Sequence, residues 1–334
     1  MTSYYYQPAT QTYQEYVLSE ADDRDRLMIQ HDIYKPAIVN IFQRVLLEYG
    51  LLDKLQEAKA LKMAGVVNYP KVRILDFGCG EGLYLYDLAA LLEAYDLIDV
   101  VELIGVDMDG TAISTAIEFC KISEPPRPYI RFVNRDLLQP FQGEVMAANT
   151  NTTTTTYDFI FAILVVEHLA EARHQVQRIY QHLLKPDGVI FLRDTIVQLA
   201  PFGTKAEDKD KIEGWTLPHP AMYPIYQQMT GFLRSKNPGI EIATSSAEWF
   251  RELGAAEVTA QRNYVVAGGS TAEGMAMLRN MVMGIRNGAP FLISRGLLSQ
   301  EQYDETMREL FADLSDYSQG YTIPIDTLAH KPAN

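Results

Sequence analysis

The chain has 334 residues, 47% of them hydrophobic and 22% charged, enough for one large α/β domain with additions or for two smaller domains, and nothing in that balance reads as disordered or fibrous. A net charge of −14 without any basic run excludes a general nucleic-acid binder, whose affinity rests on clustered Lys and Arg. Cys79 and Cys120 alone are too few for a disulfide framework or a thiolate metal site.

The N-terminal "MTSYYYQPAT" has neither the basic segment nor the apolar core of a secretory signal, and no apolar run is long enough to span a bilayer. The expectation is a soluble, cytoplasmic protein with no membrane partner, in which the sequon at Asn151 goes unused. From about Glu15 to Leu61 apolar residues recur at helical intervals, among them Leu27, Ile38, Ile41, Val45 and Leu52, and Pro36 is expected to mark the first turn of a new helix.

From Val72 short apolar strands alternate with amphipathic helices. "VRILDF" leads to "LYLYDLAALLEAY", "ELIGVD" to "TAISTAIEFC", "IRFVN" to a loop, "YDFIFAIL" to "ARHQVQRIYQHLL", and "GVIFLRD" follows. That order predicts a parallel sheet covered on both faces. "GEVMAANTNTTTTT", residues 143–156, reads as a low-complexity solvated loop. Turn signals dominate 196–244, after which helix "SSAEWFRELG" and strand "AEVTAQRNYVV" return to the core pattern. A helical stretch from Ala272 to Leu314 precedes a closing strand in "GYTIPIDTLAHKP". The division predicted is 1–70 as an N-terminal helical segment or lid, 71–195 as a cofactor-binding core, 196–244 as an acceptor-pocket insertion, and 245–334 as the end of the core.

"ILDFGCGEGLYL", residues 74–85, is a strand running into a glycine turn and then a helix. Glycines there permit positive φ and let a ligand approach main chain. A dinucleotide would want G-x-G-x-x-G and a diphosphate on the helix N-terminus. Here the spacing is G-x-G-x-G, and Asp76 and Glu81 put negative charge where a diphosphate would lie, with no Lys or Arg in the loop. S-adenosylmethionine carries no phosphate, and its sulfonium and ammonium suit an acidic loop by Coulomb attraction. Asp107, ending the second strand, can accept from both ribose hydroxyls; Met108 can lie against the adenine face; Asp136, after the third strand, can accept from the adenine amino group. Acids at the ends of three successive strands are what an adenosine ligand at a switch point requires.

Together "LDFGCGEG", "GVDMD", "NRDLL", "FAILVVEHL" and "LLKPDGVIFL" make the chain resemble the class I S-adenosylmethionine-dependent methyltransferases, from about Val72 to Asp194. The resemblance implies an α/β fold, a Rossmann-like seven-stranded methyltransferase sheet with helices on both faces, here with an N-terminal helical lid and helical insertions. It carries cofactor roles to Asp76, Gly78, Gly80, Asp107 and Asp136, with Leu137 beside it, and to the backbone of Ala162. The lead-in "EYVLSEADDRDRLMIQH" and the later "GLLSQEQYDETMREL" are similar to small-molecule methyltransferases of secondary metabolism, in which a tyrosine of the lead-in covers the cofactor. That points to Tyr16, and Gln30 is a further pocket-lining candidate.

Plainer readings stand beside these. The glycine turn can exist without a ligand, Asp107 can be a helix N-cap, Asp136 can be a surface carboxylate, and His31 can sit at a core edge. His168, Asp194 and His219 are candidate catalytic residues toward the acceptor; a base is required only if the acceptor loses a proton during attack. No metal cluster is predicted. The function expected is methyl transfer to a small, largely apolar metabolite at N, O, C or S, by a monomer or a homodimer; the alternatives are a cofactor-binding protein without turnover and a macromolecular methyltransferase. Against modifiers of base amino groups and glutamine amides, which carry an Asn-Pro-Pro-Tyr type turn after strand four, this chain has "FAIL".

Overall fold

A computed structural model describes residues 23–123, 127, 129–137, 156–198, 237, 242–263, 265–267, 271–313 and 320–333. In chain order the described elements are α1 (Asp23–Glu48), α2 (Leu51–Met63), β1 (Val72–Phe77), α3 (Leu83–Ala94), β2 (Val101–Asp107), α4 (Gly110–Ile122), β3 (Ile130–Asn134), β4 (Tyr157–Ile163), α5 (Ala172–Arg178, continued by a π turn over Ile179–Leu183), β5 (Leu184–Gln198), α6 (Ile242–Glu252), β6 (Glu257–Arg262), β7 (Val265–Ala267), α7 (Ala272–Ser294), α8 (Gln300–Asp313) and β8 (Gly320–His330). The 143–155 loop, most of the 196–244 insertion, Tyr16 and His219 lie outside the described residues.

The sheet runs β3-β2-β1-β4-β5-β8-β6, with the short β7 paired antiparallel to β8. β1 pairs in parallel with β2 and β4, β2 with β3, and β4 with β5. β8 runs against β5, since the Asp187 N–H bonds the Pro332 carbonyl while the Lys331 N–H bonds the Gly188 carbonyl. Strand order therefore reverses between β1 and β4, which opens a crevice at the carboxyl ends of the strands, where ligands of such sheets bind. All of β4 is buried, as expected of a parallel strand covered on both faces.

The chain divides into two compact units. The first comprises Met1–Tyr34, Thr195–Gly239 and Arg262–Pro324; the second comprises Lys35–Asp194, Ile240–Gln261 and Ile325–Asn334. Within the second, Leu75, Phe77, Ile104, Val106, Ile160, Leu192, Trp249 and Phe250 form a core on one face of the sheet, and on the opposite face of β4 the Phe42 ring of α1 lies 5.0 Å from Phe161. Within the first, Met275, Val282, Ile285 and Leu292 of α7 form a cluster with Leu298 and Met307, and Ala276 and Met283 meet Ile29 of α1. No helix among the described residues is long and apolar enough to cross a membrane.

Pro36 does not open a new helix: it lies inside α1. Without an N–H, Pro36 cannot donate the helical hydrogen bond to residue i−4, a change that costs about 3 kcal/mol in a helix interior. Burial of Ile38, Phe42, Val45 and Leu46 on the turns that follow outweighs that loss. The boundary between the two compact units falls one residue before it, between Tyr34 and Lys35. The expected strand over 256–266 is two strands, because Asn263 donates its N–H to Pro324, which has none to return. Helix α5 ends in a π turn and β5 starts at Leu184, earlier than expected. The register shift between Tyr157 and Phe159 takes up the turn-forming "KPDG" as a bulge, in which Asp187 has φ 56°.

Candidate functional site

The carboxyl ends of β1 and β2 are stitched together by backbone. Gly78 and Cys79 both donate to the Val106 carbonyl, at 2.8 and 3.1 Å, and Gly80 donates to Asp107 Oδ2 at 2.8 Å. Gly82 donates to the Cys79 carbonyl at 2.8 Å and precedes α3 with φ 77°. A phosphate-binding loop holds its ligand with free N–H groups; in this loop those of Gly78, Cys79, Gly80 and Gly82 are already engaged. A diphosphate would find these four backbone donors already used.

The three glycines differ in what their missing Cβ makes room for. A Cβ on Gly78 would stand 2.4 Å from Val165 Cγ2, and one on Gly82 would stand 2.4 Å from Phe132 Cζ. On Gly80, at φ 51°, it would meet nothing within 4 Å among the described residues. Two of the glycines thus seat protein side chains, and Gly80 opens to space. Sequence spacing does not distinguish them, because Val165 and Phe132 come from other strands' ends.

Asp76, the last but one residue of β1, is 2% exposed, and its Oδ2 has no hydrogen-bond partner among the described residues. Burial pushes its carboxyl well above the ordinary carboxylate range, and the neighbouring charge of Asp107 adds to that. The same burial, with Asp76 and Asp107 close by, raises the Cys79 thiol, so Cys79 is an inert packing residue. An orphaned buried carboxylate oxygen costs free energy unless a donor meets it, and beside an open glycine face the donor has room to come from a ligand.

Asp107 is not a helix N-cap. That role belongs to Asp109, which accepts from Thr111 and Ala112 at 2.8 and 3.3 Å. Asp107 accepts one N–H on each oxygen, from Gly80 and from Asp109 at 2.9 Å, which leaves each oxygen a further lone pair. Asn134 at the end of β3 donates to the carbonyls of Asp107 and Met108, at 3.1 and 2.9 Å, and the Arg135 N–H donates to the Asp107 carbonyl at 2.7 Å. Asp136, two residues after Asn134, is partly buried. Leu137 is buried, and its carbonyl accepts from the Arg178 guanidinium. Met108 is exposed, Ala162 is buried at the end of β4, and Gln30 lies partly buried on α1 in the other compact unit.

Of the catalytic candidates, His168 is 55% exposed in the turn after β4 and lies 3.6 Å from Glu167 Oε1. Asp194 is 2% exposed at the end of the core part of β5, and its Oδ1 accepts from the Glu167 N–H at 3.3 Å. Among the described residues no three His, Cys, Asp or Glu side chains group to hold a metal ion.

Residues 75–190 match the family model described as a methyltransferase domain. A search of curated proteins returns no match. Among solved structures, the YcgJ protein of Bacillus subtilis is 14% identical, with 84% of this chain and 100% of that chain covered and a TM-score of 0.44. A Haemonchus contortus phosphoethanolamine N-methyltransferase, solved with phosphomonomethylethanolamine and S-adenosylhomocysteine, is 15% identical over 83% of this chain and 53% of that one, with a TM-score of 0.40. The plantazolicin methyltransferase BpumL, solved with a substrate analogue and S-adenosylhomocysteine, is 14% identical over 96% and 95%, with a TM-score of 0.37. Scores this low carry no argument, and the fold rests on the strand order itself. Residues 75–190, which run from the end of β1 through the core of β5, thus match a methyltransferase domain, and they carry the glycine loop, Asp76 and Asp107.

Proposed function

We propose that the chain methylates a small, largely apolar metabolite. The observation that carries the reading of the site is Asp76, a buried carboxylate with an unmet oxygen next to the open Gly80 face. In this reading Asp76 accepts from the cofactor's ammonium, directly or through water, Asp107 turns its two remaining lone pairs to the ribose hydroxyls, and Asp136 accepts from the adenine amino group. Met108 and Leu137 flank the base, Ala162 offers backbone, and Gly78 sets the loop that carries Gly80.

When bound, S-adenosylmethionine supplies a methyl group on a sulfonium that leaves as a neutral thioether. What the chain has to do is hold an acceptor in line with that group and keep water away, which is catalysis by proximity and orientation. His168, exposed beyond β4, is the candidate to take a proton where the acceptor loses one; His219 is the second candidate. An amine acceptor needs neither.

Three features support a small acceptor. The net charge of −14 disfavours RNA and DNA. β4 ends in Phe161-Ala162-Ile163 and the turn after it begins Leu164-Val165-Val166, an apolar sequence without the amide-gripping Asn-Pro-Pro-Tyr pattern. The 196–244 insertion is long enough to wall a pocket.

The test is to incubate the purified chain with methyl-labelled S-adenosylmethionine and a fractionated extract of the source organism. Label is expected in the low-molecular-weight, organic-soluble fraction, where mass spectrometry identifies the product. Label in the protein or RNA fraction overturns the small acceptor. Tight S-adenosylhomocysteine binding with no label transferred to any fraction favours a cofactor-binding protein without turnover.

A further inference from the structure

Asp194 stands at the end of the core part of β5, where an acid is readily taken for a base facing the acceptor. The structure gives its carboxylate a different task. Its Oδ1 accepts the backbone N–H of Glu167, in the single 3-10 turn Val166–His168 that follows β4. The residue before it on the same strand, Arg193, accepts the Leu164 N–H on its carbonyl at 2.7 Å. Two consecutive residues of β5 therefore tie down both ends of the segment 164–167, one by main chain and one by side chain.

That segment is held in a conformation it would not adopt unaided. Leu164 has φ 58°, the left-handed region, which a branched aliphatic residue occupies only when its surroundings hold it there. Between the two ties Val165 projects onto the glycine loop, its Cγ1 and Cγ2 filling the space that a Cβ on Gly78 would take, at 2.5 and 2.4 Å. Gly78 in turn donates to Val106 in β2, and Gly80, two residues on, donates to Asp107. A continuous chain of contacts runs from Asp194 through the Glu167 amide and Val165 to the loop whose open face receives the cofactor.

We propose that Asp194 is a positioning residue for cofactor binding and methyl transfer: by holding the Glu167 amide it keeps residues 164–168 in place, so that Val165 seats on Gly78 and the glycine loop keeps its shape with Gly80 open. The inference rests on the reading of Asp76 and Gly80 as the cofactor site. It separates cleanly from a general-base role. A base needs a carboxylate that takes up a proton, whereas a tie needs only an acceptor oxygen, which the amide oxygen of asparagine also supplies.

The test uses the full chain, S-adenosylhomocysteine as the probe, calorimetry for its Kd, and amide hydrogen exchange at Glu167 in the absence of ligand. Asp194→Leu removes the acceptor and is expected to abolish the protection of the Glu167 amide and to weaken S-adenosylhomocysteine binding about tenfold, the loss that follows from leaving one partly buried amide unmet. Asp194→Asn is expected to restore both protection and affinity. Val165→Ala is expected to weaken binding while the Glu167 amide stays protected, since it breaks the chain of contacts one link further on. Asp194→Asn as damaging as Asp194→Leu would overturn the proposal, because charge rather than an acceptor oxygen would then be what matters. Full protection and full affinity in Asp194→Leu would also overturn it. If Asp194→Leu does not fold, the comparison of Asp194→Asn with Val165→Ala decides by the same criteria. Failure of the wild-type chain to bind S-adenosylhomocysteine would sink the cofactor-site reading instead, while exchange at Glu167 in the ligand-free variants still judges the tie.

Discussion

Arg193 and Asp326 form a bidentate ion pair buried between β5 and β8, with Nε to Oδ1 at 2.5 Å, Nη2 to Oδ2 at 2.6 Å, and side chains 1% and 5% exposed. Such a pair contributes little net stability against a well-packed apolar replacement, yet breaking it strands a charge out of water. Asp326→Ala is therefore expected to destabilise the chain by about 3–5 kcal/mol. Arg193→Met combined with Asp326→Leu should recover most of that. Urea unfolding of the single and double variants measures both, and a single variant as stable as wild type would show that Arg193 finds an equivalent partner.

Gly78 and Gly80 should fail in different ways. Both have positive φ, at which an alanine costs about 1–2 kcal/mol. At Gly78 the new methyl also meets Val165, so Gly78→Ala should lower the melting temperature more than Gly80→Ala, and Val165→Ala should partly rescue it. At Gly80 the methyl enters open space, so Gly80→Ala should cost cofactor affinity more than stability. Melting curves and S-adenosylhomocysteine calorimetry on the three variants separate the two cases. Equal losses of affinity with equal stability would remove the distinction between a packing glycine and a ligand-facing one.

The same distinction marks how far the site is legible from sequence alone. Strands β1 to β4 stand out because strands buried on both faces read as short continuous apolar runs, and Asp76, Asp107 and Asp136 stand out because each closes or follows such a run. Which glycine packs on a side chain and which stays open is not legible, because the answer depends on Val165 and Phe132, brought in by tertiary packing. The Arg193–Asp326 pair spans 133 residues of chain and leaves no local signal. Asp107 and Asp109 are both good caps by composition, and only the backbone direction at Gly110 decides that Asp109 takes the helix. Pro36 reads as a helix start by residue preference and is overridden by burial of the turns after it.

Asp76 should make the ligand-free chain less stable as pH rises. Burial first, and Asp107 second, raise its folded pKa above the unfolded value. A carboxyl of that kind contributes stability that is fully present below the unfolded pKa and is lost as pH rises through the raised folded value. Between the ordinary carboxylate range and neutrality, the melting temperature of the ligand-free chain should therefore carry a downward contribution that Asp76→Asn removes. The variant should be more stable than wild type at pH 8 without ligand, and should bind S-adenosylhomocysteine more weakly. Identical pH profiles for the two chains would mean that Asp76 is already satisfied as a charge.

Asn280 poses the same question away from the sheet. It lies on α7 with 7% of its surface exposed; its Oδ1 has no partner and its Nδ2 reaches only the Met277 sulfur, at 3.8 Å. Ala276 and Met283, one turn to either side, pack on Ile29 of α1, and Asn287, a further turn on, donates to Asp23 at 3.1 Å. The stripe that carries Asn280 is thus a helix–helix seam, apolar at its centre. An unmet amide oxygen in such a seam costs about 1–3 kcal/mol, and a leucine of similar shape carries no such cost. Asn280→Leu should accordingly raise the melting temperature by several degrees without affecting S-adenosylhomocysteine affinity. A fall in melting temperature would show instead that Asn280 holds a buried water as part of the folded core.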